Sequence, residues 1–332
     1  MAKFRILSFD GGGIRGALTA TLLKRLIKEY PKLIEITDLF AGTSTGSFIA
    51  LGLASGLSIE EIANLYTVEN AKYIFFSRHL GLFRPKYSHR NLKEVLLRVF
   101  PKTLRLMDLN KFVVIPSFRV KGSNTASWSP IFFNNFPDSN TKHATVIDVA
   151  LSSSAAPIYF PSYNHHIDGG LIANNPSIAA ISIAADPYYA NQIRDEICLL
   201  SIGTGFNPHK IKGDTAKWGL IQWLFNKNPP VPLETIMFDG AVEADSYFSY
   251  QFLKDRFHRL NPELNKSISL DDYQQIPYLI SLANNYNICE TIAWIKNYWF
   301  TDSLIAQSKN EKQDFDLLKG KYWHNLINKF YK

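Results

Sequence analysis

Three groups of residues in this sequence are of the types that acyl transfer requires. The stretch DGGGIRG at positions 10–16 offers backbone N–H groups that side chains leave uncovered. The stretch GTSTG at positions 42–46 places Ser44 in a glycine-framed turn. Acyl transfer needs a nucleophile on a tight turn and donors already aimed at the negative oxygen that forms. The pattern predicts a serine hydrolase of acyl esters with Ser44 as its nucleophile.

The surroundings of Ser44 strengthen this interpretation. A G-x-S-x-G match occurs by chance in about one chain of this composition in ten. Here the apolar residues 38–42 predict a strand and residues 45–54 predict a helix, so Ser44 would occupy a sharp strand-to-helix elbow. Gly42 and Gly46 suit such an elbow because a Cβ at either position would collide across the turn.

The glycine loop has a second interpretation, because GGGIRG at positions 11–16 also fits the dinucleotide-binding pattern G-x-G-x-x-G. That fold expects an acidic residue at the end of the second strand, whereas Asp38 lies at its start. A phosphate-binding P-loop expects Lys and Ser or Thr after Gly16, where Ala17 and Leu18 stand. The nearby elbow favours an oxyanion hole, and a nucleotide-binding module remains the non-enzyme alternative.

The sequence offers two kinds of general base for Ser44. The chain has eight histidines, so a Ser-His-Asp esterase or thioesterase of non-lipid substrates is one alternative. None of the histidines lies in a distinctive motif. Asp168 lies in a more distinctive context, since an apolar residue precedes it and Gly169 and Gly170 leave its carboxylate accessible. An Asp-Gly pair is, however, often only a turn.

The elements that must position these groups read as a layered α/β domain. The apolar run 4–9 predicts a strand covered on both faces, and residues 16–30 predict a helix. Ser58 and Glu61 form a capping box that opens another helix at Ile59. Further strands are predicted at 112–116 and 197–202, and a short helix at 148–153. A long loop at 207–232 holds a short helix at 217–225, and residues from 233 onward are predicted to be helical.

Composition limits the remaining function classes. The chain has 332 residues, 46% of them hydrophobic, enough for a large core. Its two cysteines, Cys198 and Cys289, form neither a disulfide framework nor a metal motif, so we expect no cofactor and no metal. The uncharged run 39–59 contains glycines and a turn motif, and no transmembrane helix is expected. No signal peptide is recognised, so a cytoplasmic or peripheral membrane location is expected, with signal-independent secretion left open.

The positive charge is concentrated in one stretch. Residues 72–121 contain twelve Lys or Arg and only Glu94 and Asp108 against them, whereas the whole chain has a net charge of +7. The favoured interpretation is a solvated basic face. The alternative is a surface that meets anionic lipid headgroups. The stretch contains no recognisable nucleic-acid module, so nucleic acid is not an expected partner.

Five blocks in this order resemble the patatin-like phospholipase family. They are the glycine loop at 10–16, the elbow at 42–46, the segment 150–161, the DGG at 168–170 and the segment 200–205. Weaker similarity continues through 237–240 to about residue 272. The resemblance implies a three-layer α/β/α sandwich with a mainly parallel central sheet. By this resemblance, residues 1–205 form the catalytic core, and a loop and helices at 206–285 complete the same domain. Residues 286–332 form a C-terminal helical extension to which no role is assigned.

The same resemblance implies the roles of the site residues. Ser44 is the nucleophile and Asp168 the general base of a Ser-Asp dyad. The amides of Gly11, Gly12 and Gly13 form the oxyanion hole, and Arg15 supports that loop. The implied activity is calcium-independent hydrolysis of phospholipids or other acyl lipids, with peripheral membrane contact and an unknown oligomeric state.

Overall fold

The structure is a computed structural model that describes residues 3–76, 83–121, 127–207, 211, 214–226 and 232–300. Its centre is a mixed sheet, mostly parallel, in the order β4-β3-β2-β1-β6-β7, and β5 pairs with β3 beside β2. The strands are β1 (Phe4–Phe9), β2 (Leu39–Gly42), β3 (Phe112–Arg119), β4 (Ser129–Asn134), β5 (His166–Asp168), β6 (Ile197–Ile202) and β7 (Phe257–Leu260).

Helices connect the strands and follow the last one. They are α1 (Gly16–Glu29), α2 (Thr45–Ser55), α3 (Ile59–Asn64), α4 (Val68–Ile74), α5 (His89–Leu96), α6 (Val146–Ser153), α7 (Gly170–Ala173), α8 (Ser177–Ala185), α9 (Leu220–Phe225), α10 (Pro232–Thr235), α11 (Ala241–Leu253), α12 (Ile276–Asn285) and α13 (Cys289–Trp294). Short π-helical turns occupy Ile236–Gly240 and Ile295–Trp299.

Helices cover the sheet on both faces, which produces three layers. Leu7 and Phe9 of β1 point into a core that α1, α2, α5, α6 and α12 share. The alternating residues Phe4 and Ile6 point into the opposite core, which α8 and the end of α11 cover. Burial on both faces explains why β1 is apolar without the alternation of a half-exposed strand. The fold is the predicted three-layer α/β/α sandwich.

The predicted elements around the site occur almost as expected, and three strands were missed. β1 matches its predicted range, and the capping box of Ser58 and Glu61 is present at the start of α3. The prediction of an entirely helical chain after residue 233 was wrong at β7, which pairs in parallel with the edge of β6. β7 is only four residues long, and it forms a strand because it pairs with β6. β4 and β5 also went unpredicted, because both are short and only their partner β3 defines them.

The C-terminal helices are packed onto the core. α12 lies against α1, and Trp294 and Trp299 are fully buried. Arg5 of β1 donates its Nε–H to the carbonyl of Trp299 at 2.7 Å. The predicted division at 205 and 285 stays a prediction, and residues 301–332 of the predicted extension lie outside the described residues.

No helix in the described part of the chain is long and apolar enough to cross a membrane. The uncharged run 39–59 divides into β2, the elbow and α2.

Candidate active site

Ser44 lies at the turn between β2 and α2, in a backbone conformation that few residues adopt. Its φ is 51° and its ψ is −118°, a strained combination for a residue with a side chain. The turn is so tight that a Cβ on Gly42 would come within 2.1 Å of the carbonyl oxygen of Gly46. Ser153 accepts a hydrogen bond from the Ser44 N–H at 3.0 Å and thereby holds the elbow. The strain is typical of a nucleophile that is presented to a ligand.

Strand pairing brings Asp168 to Ser44. The N-terminal part of β3 pairs with β2, and its C-terminal part pairs with β5 on the same edge in the opposite direction. The two strands therefore run toward each other and end at the same place. There the Ser44 Oγ donates a hydrogen bond to Asp168 Oδ2 at 2.7 Å, and the Gly170 N–H donates to Asp168 Oδ1 at 2.7 Å.

The carboxyl of Asp168 lies in an environment that disfavours its charge. Asp168 is only 1% exposed. Burial raises the pKa of Asp168 to about 7, against the opposing effect of the hydrogen bonds from Gly170 and Ser44. A carboxyl with this pKa is a far stronger base than an exposed aspartate, and it is about half ionised at neutral pH and mostly ionised above it.

The glycine loop runs beside Ser44 and presents two unused backbone donors. The N–H of Gly11 donates to the carbonyl of Asn174 at 3.0 Å, so it is already engaged. Among the described residues, the N–H groups of Gly12 and Gly13 have no acceptor. Both glycines line the same cavity as Ser44 and Asp168. The geometry thus favours Gly12 and Gly13 over Gly11 as donors to an oxyanion.

Arg15 is buried behind this loop. Its Nε–H donates to the carbonyl of Gly12 at 3.3 Å, and its Nη2 lies 3.2 Å from Asp239 Oδ1. The side chain is 3% exposed. Arg15 thus contacts the loop that the sequence predicted it to support.

The cavity in front of Ser44 has mostly apolar walls. Its polar end carries Ser44, Asp168 and the two glycines. The remaining walls come mainly from α2 to α5, the segment after α6 and the residues before α12; the apolar members include Phe48, Leu65, Ala71, Ile74, Phe75, Leu92, Val95, Leu96, Phe160, Phe238, Leu270 and Ile276. A site of this kind fits an apolar chain whose reactive group lies at the polar end.

Comparisons with known proteins show the family of this chain. The family model for patatin-like phospholipases matches residues 7–181, which include both Ser44 and Asp168. The chain belongs to the patatin-like phospholipase family. It is 37% identical to Protein teg of Priestia megaterium over 90% of this chain and 100% of that protein. It is 30% identical to Patatin-like protein 2 of Arabidopsis thaliana, over 80% of this chain and 75% of that one.

A bacterial relative carries a named activity. The cGAMP-activated phospholipase of Escherichia coli is 33% identical over 61% of this chain and 62% of that protein. Membership of the patatin-like phospholipase family points to a lipid hydrolase.

The histidines that the structure describes are not placed as a base for Ser44. None of them lines the cavity with Ser44 and Asp168. His166 lies on β5 two residues before Asp168, but its Nδ1 contacts the carbonyl of Asn164 at 2.7 Å. His258, expected on a helix, lies on β7 with its Nε2 2.9 Å from Thr291 Oγ1. His79, His209 and His324 lie outside the described residues.

Metal ligands were not expected, and the described part of the chain holds no group of three or more His, Cys, Asp or Glu arranged to bind a metal ion.

Sequence reasoning assigned no role to three residues that contact the site. Ser153 holds the backbone of Ser44, Thr204 donates to the carbonyl of Gly11 at 2.8 Å, and Asp239 pairs with Arg15. Ser153 and Thr204 belong to blocks that carried the family resemblance, so a signal was present. Asp239 lies more than two hundred residues from Arg15 along the chain, and only the fold reveals their contact.

Proposed function

We propose that this chain is a calcium-independent lipid acyl hydrolase of the phospholipase A or lysophospholipase type. It cleaves carboxylic esters through an acyl-enzyme on Ser44, with Asp168 as general base. The observation that carries the proposal is the 2.7 Å hydrogen bond between Ser44 Oγ and Asp168 Oδ2 at the polar end of an apolar cavity.

The first half of the cycle forms the acyl-enzyme. Asp168 accepts the Ser44 proton as Oγ attacks the ester carbonyl carbon. The resulting tetrahedral oxyanion receives hydrogen bonds from the free N–H groups of the glycine loop, and each such donor contributes roughly 3 kcal/mol to transition-state stabilisation. When the C–O bond breaks, Asp168 returns the proton to the leaving alcohol.

The second half releases the fatty acid. Water enters, Asp168 accepts one of its protons, and the hydroxide oxygen attacks the acyl carbon. The same donors stabilise the second oxyanion, and the proton returns to Ser44 Oγ as the acyl–oxygen bond breaks. Asp168 serves both steps because its raised pKa suits alternating gain and loss of a proton near neutral pH.

The apolar walls support an acyl lipid over a small polar ester. An acyl chain that leaves water for this cavity gains about 0.8 kcal/mol for each buried methylene. The named phospholipase activity of the Escherichia coli relative agrees with this substrate class. A Ser-His-Asp arrangement and a nucleotide-binding role have weaker support, because Ser44 is already paired with a carboxylate and the cavity beside the loop is mostly apolar.

Product analysis tests this proposal. Wild type, Ser44→Ala and Asp168→Asn are incubated with a mixed-lipid extract, both with and without EDTA, and the lipids are measured by mass spectrometry. We expect wild type to release free fatty acids with the matching lysolipid or deacylated headgroup, and both variants to release none above background. Equal release by Ser44→Ala would refute the nucleophile, and loss of release with EDTA would refute calcium independence.

A further inference from the structure

The two free donors of the glycine loop belong to peptide groups whose carbonyls are held from the opposite side. Thr204 Oγ1 donates to the carbonyl of Gly11 at 2.8 Å. The carbonyl of Gly12 accepts the backbone N–H of Arg15 at 3.1 Å and the Arg15 Nε–H at 3.3 Å. Both holding groups are buried, with Thr204 at 3% and Arg15 at 2% exposure. Each loop carbonyl therefore has a fixed direction.

Because the peptide group is planar, these contacts also set the directions of the two N–H groups. In a planar trans peptide, the C=O of one residue and the N–H of the next point in opposite directions. A Gly11 carbonyl held by Thr204 turns the Gly12 N–H away from Thr204. A Gly12 carbonyl held by Arg15 likewise turns the Gly13 N–H away from Arg15. Both N–H groups are left for the cavity that Gly12 and Gly13 line together with Ser44.

Arg15 is itself held in place. Asp239 Oδ1 lies 3.2 Å from Arg15 Nη2, and Asp239 Oδ2 accepts a hydrogen bond from Asn207 Nδ2 at 3.0 Å. Asn207 is 6% exposed and accepts the N–H of Ile268 at 3.3 Å. This chain of contacts ties the guanidinium to two segments beyond β6. The charge-assisted hydrogen bond between Arg15 and Asp239 therefore holds the buried guanidinium in one orientation.

We propose that Thr204 and Asp239 are positioning residues that aim the two oxyanion donors, Thr204 acting on the Gly12 N–H and Asp239, through Arg15, on the Gly13 N–H. The inference rests on the proposed function, since it requires an oxyanion beside Ser44. Neither residue lies within residues 7–181, the part that the family model matches. The close packing explains Gly12, because a Cβ there would come within 2.4 Å of Thr204 Oγ1.

The test compares Thr204→Val, which removes the hydroxyl and keeps the shape, with Thr204→Ser, which keeps the hydroxyl. Turnover of a soluble short-chain ester gives kcat and KM. Because the donors act on charge that exists only in the transition state, we expect Thr204→Val to lower kcat at least tenfold, toward the ~100-fold loss of a missing donor, with KM within about twofold. Thr204→Ser should keep kcat within about threefold of wild type.

A second readout is the rate of fluorophosphonate labelling of Ser44. Phosphonylation also develops a negative oxygen beside the nucleophile, so Thr204→Val should slow labelling by a factor similar to its loss of kcat. The matched control is Thr37→Val, since Thr37 is an equally buried threonine whose Oγ1 donates to the carbonyl of Leu33 at 2.7 Å, away from the loop and from Thr204. Thr37→Val should leave both rates within about twofold.

Asp239→Ala keeps the proposal testable if Thr204→Val fails to fold. It should lower kcat at least tenfold with KM little changed. An unchanged kcat in a folded Thr204→Val or Asp239→Ala would overturn the inference. A change confined to KM would also do so, as would an equal loss in Thr204→Ser or Thr37→Val. Absence of Ser44-dependent turnover in wild type would instead refute the proposed function.

Discussion

At the scale of single residues, the proposed mechanism depends on the Ser44–Asp168 pair. A serine hydroxyl needs a base that is ionised at working pH yet still attracts a proton. The burial of Asp168 provides this, because desolvation moves its pKa to about 7. The pair therefore needs no imidazole between the two side chains.

This pKa predicts the acid limb of the pH profile. Only ionised Asp168 accepts the Ser44 proton, so kcat/KM for a soluble ester should rise with pH through a midpoint near 7 and level off above it. An imidazole titrates at about 6.5. Variants are therefore needed to assign the limb, and His89→Gln and His166→Gln should retain both the limb and most of the activity.

Asp245 provides a matched control for this assignment. Its pKa is also raised to about 7, by burial and by the nearby Asp10, but it does not line the cavity. Asp245→Asn should leave the acid limb in place. The assignment of Asp168 as the base would be contradicted if the midpoint of the acid limb shifted in Asp245→Asn. A midpoint near the ordinary aspartate pKa of about 4 would also contradict it.

The same carboxyl should lower the stability of the fold. The folded-state pKa of Asp168 lies above its unfolded value, so its burial costs nothing below about pH 4. The cost grows as pH rises and is complete above pH 7. Asp168→Asn removes the cost and should stabilise the protein by on the order of 4 kcal/mol at pH 8, with the gain vanishing near pH 4. Denaturant unfolding at the two pH values measures this, and an equal difference at both would contradict it.

At the scale of elements, the site depends on one strand that has two partners along the same edge. β2 and β5 approach each other along β3 and bring together residues 124 positions apart in the chain. The β2–elbow–α2 unit was predictable because the apolar run and the two glycines are local signals. β5 was not predictable, since three residues carry no periodicity and its position is set by β3.

The hydrogen-bond donors of the glycine loop were likewise only partly predictable from the sequence. The glycines at 11–13 predicted an amide cradle, but the sequence did not show that the Gly11 amide is engaged by Asn174. Nor did it show that Thr204 and Asp239 hold the loop from behind. Such contacts form between distant segments, and a local pattern carries no information about them.

Helix α4 should determine which acyl chains fit. Ala71 is 4% exposed and lines the cavity. Ala71→Leu fills part of that space and should lower kcat/KM for long-chain esters about tenfold, while short-chain esters change less than about twofold, because each excluded methylene forfeits about 0.8 kcal/mol. Ala54→Leu on α2 is the control, since Ala54 is equally buried and does not line the cavity. Equal losses for all chain lengths in Ala71→Leu would contradict this role.

At the scale of the whole molecule, the proposed function requires the protein to meet a lipid surface. α9 exposes Leu220, Ile221 and Phe225 at 74%, 69% and 65%. It packs on α10, which leads directly into the turn that carries Phe238 of the cavity wall. An exposed apolar helix face that connects to the cavity wall in this way is typical of an interfacial contact. We infer that α9 meets the lipid surface.

The double variant Ile221→Ser with Phe225→Ser tests this inference. Loss of two exposed apolar side chains should weaken co-sedimentation with phospholipid vesicles about tenfold or more, while hydrolysis of a soluble short-chain ester stays within about twofold. The control is Trp128→Ser beside β4, where the tryptophan is 72% exposed on a different element. Equal losses of vesicle binding and soluble-ester hydrolysis would indicate a folding role for α9.

The most direct measurement is fluorophosphonate labelling followed by peptide mass spectrometry, on wild type, Ser44→Ala and Asp168→Asn at pH 8. An activated serine predicts one phosphonylated peptide carrying the adduct on Ser44 in wild type, at least 100-fold slower labelling in Asp168→Asn and none in Ser44→Ala. Labelling at another serine, or an undiminished rate in folded Asp168→Asn, would contradict a nucleophile activated by a single buried carboxylate.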